Sequence, residues 1–166
     1  MAQVIQLSSR NDGRLRGTAG DDLLRGSPRR PRVSNGRRGV IHLLAGNDAI
    51  ISSRSISLKG VVTLKDGDDV IRSSGSIAFL GAYEGNSGNA RISLGARNDR
   101  VESRAEIDSS AADLSTGEGD DWILAQACIH LSYGTTGLGS EADTIIAGGT
   151  ALKAIDTFLF TGEGAV

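Results

Sequence analysis

The chain has 166 residues, and its 18 Lys and Arg against 20 Asp and Glu leave a formal net charge of −2, so overall charge makes no case for a nucleic-acid partner. Only six aromatic rings are present, too few for a conventional thick core, while 23 Gly with two Pro match neither collagen nor a disordered linker. The single Cys128 excludes an internal disulfide framework, no apolar run approaches the ~18 residues of a membrane span, and "MAQVIQLSSRNDGR" lacks the apolar stretch of a Sec signal.

Taken in chain order, the predicted elements are six turns, each closed by an aspartate and followed by a short apolar strand. They read "TAGDDLL" at Asp22, "LAGNDAI" at Asp48, "KDGDDVI" at Asp69, "GARNDRV" at Asp99, "GEGDDWI" at Asp121 and "GSEADTI" at Asp143. Gly permits the positive φ of tight turns, so each segment reads as a turn feeding a β-strand. The aspartates lie 26, 21, 30, 22 and 22 residues apart, a basic period of about 22 with two insertions. The insertions fall within "PRRPRVSNGRRG" and "GAYEGNSGN", predicting loops near residues 28–39 and 81–89.

Register holds between the aspartates. Two residues after each comes Leu24, Ile50, Ile71, Val101, Ile123 or Ile145, and four after comes a small residue: Gly26, Ser52, Ser73, Ser103, Ala125 or Ala147. Eight residues after, four coils carry Ile56, Ile77, Ile107 and Ile129, and seven before stand Leu15, Ile41, Val62, Ile92, Leu114 and Thr136. Even offsets are strand parity, with alternate side chains facing one interior. A unit of about 22 residues cannot bury its apolar side alone, whereas stacked copies form a continuous narrow core. The expected fold is therefore all-β: a right-handed parallel β-solenoid of about six coils, forming a single repeat domain over residues 1–166 whose array breaks off in "LFTGEGAV".

Stacking places the turn aspartates in a file, where two unit charges about 5 Å apart repel by roughly 0.8 kcal/mol in water and more in a less polar medium. A hard cation between coils would reverse that sign, and carboxylate and turn-carbonyl oxygens suit Ca²⁺. Zinc prefers Cys and His ligands, which are scarce here.

The segment "GTAGDDLLRG" resembles the RTX, or haemolysin-type, calcium-binding repeat, and "LAGNDAI", "KDGDDVI" and "TGEGDDWI" match the central part of that pattern. The resemblance implies Ca²⁺ held by Asp22, Asp48, Asp69, Asp99, Asp121 and Asp143 with the turn glycines Gly20, Gly46, Gly67 and Gly119. It also implies an extracellular bacterial protein exported by a non-Sec route such as type I secretion. Arg97 and Glu141 depart from the pattern by standing where two turns should carry glycine. The chain also has one such turn per coil, where the family usually has two.

The other conspicuous residues read as surface groups. His42 and His130 sit on distant coils at outward parity, and Cys128 and Trp122 face out. The basic segment carrying Arg25, Arg29, Arg30, Arg32, Arg37 and Arg38 is either a solvated loop or a grip for an anionic polysaccharide or cell surface. Its lack of interleaved aromatics argues against single-stranded nucleic acid. The functional expectation is a non-catalytic calcium-binding solenoid acting as a folding, spacing or surface module, with self-association through its open ends. A carbohydrate-binding or adhesive solenoid is the first alternative, and a β-helix polysaccharide lyase or epimerase the second.

Overall fold

The structure, a computed structural model, describes residues 2–7, 11, 13–81 and 90–149, together with the strands Leu152–Ile155 and Phe158–Phe160. Three parallel sheets run along one axis, and each coil visits them in turn. The first sheet stacks Gln3–Leu7, Asp22–Gly26, Ala49–Ser52, Val70–Ser73, Arg100–Ser103, Trp122–Ala125 and Thr144–Ala147. The second stacks Val33–Asn35, Ile56–Leu58, Ile77–Leu80, Ile107–Ser110, Ile129–Ser132 and Leu152–Ile155. The third stacks Arg14–Arg16, Val40–His42, Val61–Asp66, Ala90–Ala96, Ala112–Glu118, Thr135–Gly137 and Phe158–Phe160. The predicted β-solenoid with coils of about 22 residues is the fold of the chain.

Strand parity fixes which residues meet inside. Leu24, Ile50, Ile71, Val101, Ile123 and Ile145 are direct partners along the first sheet, and the first five are at most 2% exposed. Ile56, Ile77, Ile107 and Ile129 stack in the second sheet, and Ile41, Val62, Ile92 and Leu114 in the third. A further buried file, Leu43, Leu64, Leu94, Thr116 and Leu138, lies just before the aspartate corner, where the third sheet meets the first. Each file repeats mainly aliphatic side chains of similar size at the strand spacing of about 4.8 Å, so they interlock without large rings. Phe79 is the one aromatic among the fully buried large side chains, which accounts for the low aromatic content.

One expectation needs correction. Residues 28–39 are not a single inserted loop, because Val33–Asn35 is a strand of the second sheet pairing with Ile56–Leu58. Val33 and Asn35 are both fully buried. Val33 lies eleven residues after Asp22, whereas its partner Ile56 lies eight after Asp48, so the true excess at this corner is a short turn around Pro28. Apolar Val33 and corner-forming Asn35 were hidden between arginines and prolines. The predicted loop near 81–89 falls, after Gly81, outside the described residues.

Candidate functional site at the aspartate corner

The six aspartates do stand in one file, and Asp22, Asp48, Asp69, Asp99 and Asp121 are at most 2% exposed. Their side chains point into the corner, and from Asp48 onward each Oδ1 accepts a hydrogen bond from the backbone amide of the aspartate one coil earlier. Asp22 N–H donates to Asp48 (2.7 Å), Asp48 to Asp69 (2.7 Å), Asp69 to Asp99 (2.8 Å), Asp99 to Asp121 (2.8 Å) and Asp121 to Asp143 (3.0 Å). A buried carboxylate is thus shared between the structure of its own coil and that of its neighbour.

The residue before each aspartate forms a second file on the outside, running the other way. Asn47 N–H donates to Asp21 Oδ1 and Asp68 to Asn47 (2.9 Å each), Asn98 to Asp68 (3.2 Å), Asp120 to Asn98 (2.9 Å) and Ala142 to Asp120 (3.0 Å). Carboxylates and amides alternate along this file, so successive charges lie two coils apart and repel less. Sequence reasoning missed this ladder; its signal was the alternation Asp21, Asn47, Asp68, Asn98, Asp120.

The turn glycines take the positive φ expected of tight turns at three of four positions. Gly46, Gly67 and Gly119 have φ of 120°, 152° and 124°, whereas Gly20 is not in the left-handed region. Arg97 and Glu141, at the equivalent positions, adopt φ of 88° and 83° although they carry side chains. The turns stack closely: a Cβ added to Gly67 would lie 2.0 Å from the Gly46 carbonyl oxygen.

The second carboxylate oxygen distinguishes the coils. Asp22 Oδ2 accepts the Thr18 amide at 2.6 Å, while Asp22 Oδ1 accepts the Thr18 hydroxyl and the Gln3 amide, each at 3.0 Å. In Asp48, Asp69, Asp99 and Asp143, Oδ2 is buried with no hydrogen-bond partner, whereas the Thr116 hydroxyl, which donates to the Leu138 carbonyl at 2.8 Å, also stands beside the Asp121 carboxylate and favours its charged form. Burial, reinforced by neighbouring carboxylates, raises Asp48 from 3.8 to about 6, Asp69 to about 7 and Asp99 to about 8. Asp121 and Asp143 are raised for the same leading reason.

Calcium takes six to eight oxygens. The corner offers at most one free carboxylate oxygen per coil, and none at Asp22, and among the described residues no three carboxylate, imidazole or thiol groups converge on a metal position. Several turn carbonyls already accept amides: Asp66 from Gly46 (2.9 Å), Ala96 from Gly67 (3.1 Å) and Glu118 from Arg97 (2.7 Å). The donor set fits a hard cation in chemistry, through the orphaned Oδ2 file, and falls short of it in number.

A second ladder occupies the next corner, where the first sheet meets the second. The single hydroxyl hydrogen of Ser103 is shared between Gly75 O at 2.8 Å and Glu106 O at 2.9 Å, and its Oγ accepts the Ala105 amide at 3.1 Å; Ser52 and Ser73 repeat the arrangement. The sequence marked these positions only as small. Elsewhere, His42 is half-buried with its ring against the Thr63 hydroxyl, His130 is exposed, and Cys128 is a half-buried free thiol. Trp122 is 38% exposed, with the Arg100 guanidinium 5.3 Å from its ring centre.

Neither a family model nor a curated protein nor a solved structure matches this chain.

Proposed function

We propose that the chain is a non-catalytic solenoid module that spaces or displays other elements at the surface of an extracellular bacterial protein. The observation that carries this reading is the unbroken coil-to-coil register, in which each coil supplies the carboxylate that satisfies the amide of the one before. Such a rod gains or loses length by whole coils, because each contacts only its neighbours. Trp122 and Thr144 are paired equivalents one coil apart, so deleting Trp122–Asp143 joins Asp121 to Thr144 in register. The shortened chain is expected to fold cooperatively with a smaller denaturant m-value, and deletion of Trp122–Ser132 alone to prevent folding. Loss of folding on whole-coil deletion would contradict a modular spacer.

A second reading is favoured by the orphaned Oδ2 oxygens: an RTX-like module in which Ca²⁺ enters the aspartate file. A cation bound only by the folded state stabilises it by mass action. Under this reading, 10 mM Ca²⁺, a concentration within roughly the weak extracellular range, raises the melting temperature above that in chelator at pH 7.5. Identical melting curves would remove calcium from the account and leave the spacer reading intact.

A further inference from the structure

The net charge of −2 conceals a strong segregation. Residues 1–65 hold 12 of the 18 Lys and Arg but four of the 20 Asp and Glu, a balance of +8, which leaves −10 for residues 66–166. In a solenoid, position in the sequence is position along the axis, so one end of the rod is basic and the other acidic.

The basic end has a shaped feature. Ser27–Arg30 is a tight turn closed by an Arg30 amide to Ser27 carbonyl bond of 2.9 Å, with Pro28 presetting its backbone. The turn projects from the serine corner and walls a groove of about 540 Å³ lined by Gln6, Arg25, Ser27, Pro28, Ile51 and Arg54. Arg29 and Arg30 stand on that turn, and Arg32 follows it two residues on. All five arginines are exposed, and none forms an ion pair with an acidic side chain among the described residues, whereas Arg72 and Arg100 farther along the rod both pair with Glu102.

We propose that this groove is a binding site for a linear acidic polysaccharide. Guanidinium groups form bidentate, charge-assisted bonds with carboxylate and sulfate oxygens. Arg25 and Arg54 line it from adjacent coils, so they contact successive anionic groups of an extended chain rather than one small ion. The Pro28 turn fixes the backbone that carries Arg29 and Arg30 in advance, which removes part of the ordering cost of binding. No aromatic ring lines the groove to stack a base, which separates it from a single-strand nucleic-acid channel.

The test measures fluorescence anisotropy of labelled dodecamers: an oligogalacturonate, a heparin fragment, a neutral dextran and a single-stranded DNA. The full chain is expected to bind at least one acidic oligosaccharide saturably and the dextran not at all; the two acidic probes separate carboxylate from sulfate preference. Arg29→Gln with Arg54→Gln is expected to weaken binding by about tenfold, and the charge-matched pair Arg37→Gln with Arg38→Gln, at a different corner, by less than about threefold. Equal losses from the two pairs, no binding by the parent, or DNA binding as tight as the oligosaccharide would each overturn the proposal. Phenylglyoxal modification of the parent gives an independent readout. The bound oligosaccharide protects Arg29, Arg30 and Arg54 but leaves Arg37 and Arg38 reactive, and the reverse pattern refutes the site.

Discussion

Asp69 shows what one corner aspartate does. Its Oδ1 satisfies the Asp48 amide, its own amide is satisfied by Asp99, and its Oδ2 has no partner. The hydrogen bond and the charge are therefore separable. Asp69→Ala leaves the Asp48 amide buried and unpaired, a loss of about 1–3 kcal/mol. Asp69→Asn keeps an acceptor and removes the buried charge, so at pH 8 its denaturation midpoint is expected to match or exceed that of the parent. An Asn variant as unstable as the Ala variant would show that the charge itself is needed, as a bound cation would require.

At the scale of the element, the corners hold strands too short to persist alone, since three or four residues form few ladder bonds. The serine corner does this with one hydroxyl that reaches into its own coil and the previous one. Removing it in Ser103→Ala strands the Ala105 amide and leaves the Glu106 and Gly75 carbonyls without the hydroxyl. The expected loss is about 1–3 kcal/mol, read as a lower urea midpoint. The later coils carry Ala125 and Ala147 at this position, and there Gly148 N–H bonds to Ala125 O at 2.9 Å and Ala127 N–H to Ala105 O at 2.9 Å. A Ser103→Ala variant as stable as the parent would mean that such backbone bonds suffice at every corner.

For the whole molecule, the aspartate file predicts an unusual response to pH. The charged groups acting on it are the neighbouring carboxylates of the file itself and the flanking Asp21, Asp66, Asp68 and Asp120, and among the described residues no cation opposes them. In the unfolded chain these aspartates ionise near 3.8, whereas folding holds Asp48, Asp69 and Asp99 protonated to about 6, 7 and 8. Between those limits the folded state binds more protons, so stability falls as pH rises. The contribution is fully present below about pH 4 and spent by about pH 8. Urea titrations are expected to give a higher midpoint at pH 5 than at pH 8, by at least about 2 kcal/mol in free energy. A midpoint that rises with pH would show the file to be ionised and compensated.

Much of this architecture was legible because a solenoid writes its three-dimensional repeat directly into the sequence. An aspartate recurring at a basic period of about 22 residues with two insertions, with an aliphatic residue two positions on, specifies a strand whose alternate side chains face one core, and the structure places Leu24, Ile50, Ile71, Val101 and Ile123 there. The same periodicity located the aspartate file but not its bonding, since spacing alone does not distinguish a carboxylate aimed at a metal from one that accepts an amide of the preceding coil. Val33 and Asn35 were unreadable for a related reason: only their pairing with Ile56 and Leu58 makes a strand of a stretch whose composition reads as loop. The charge segregation was present in the sequence from the start, yet it became a property of one end of the molecule only when stacking turned chain order into position along an axis.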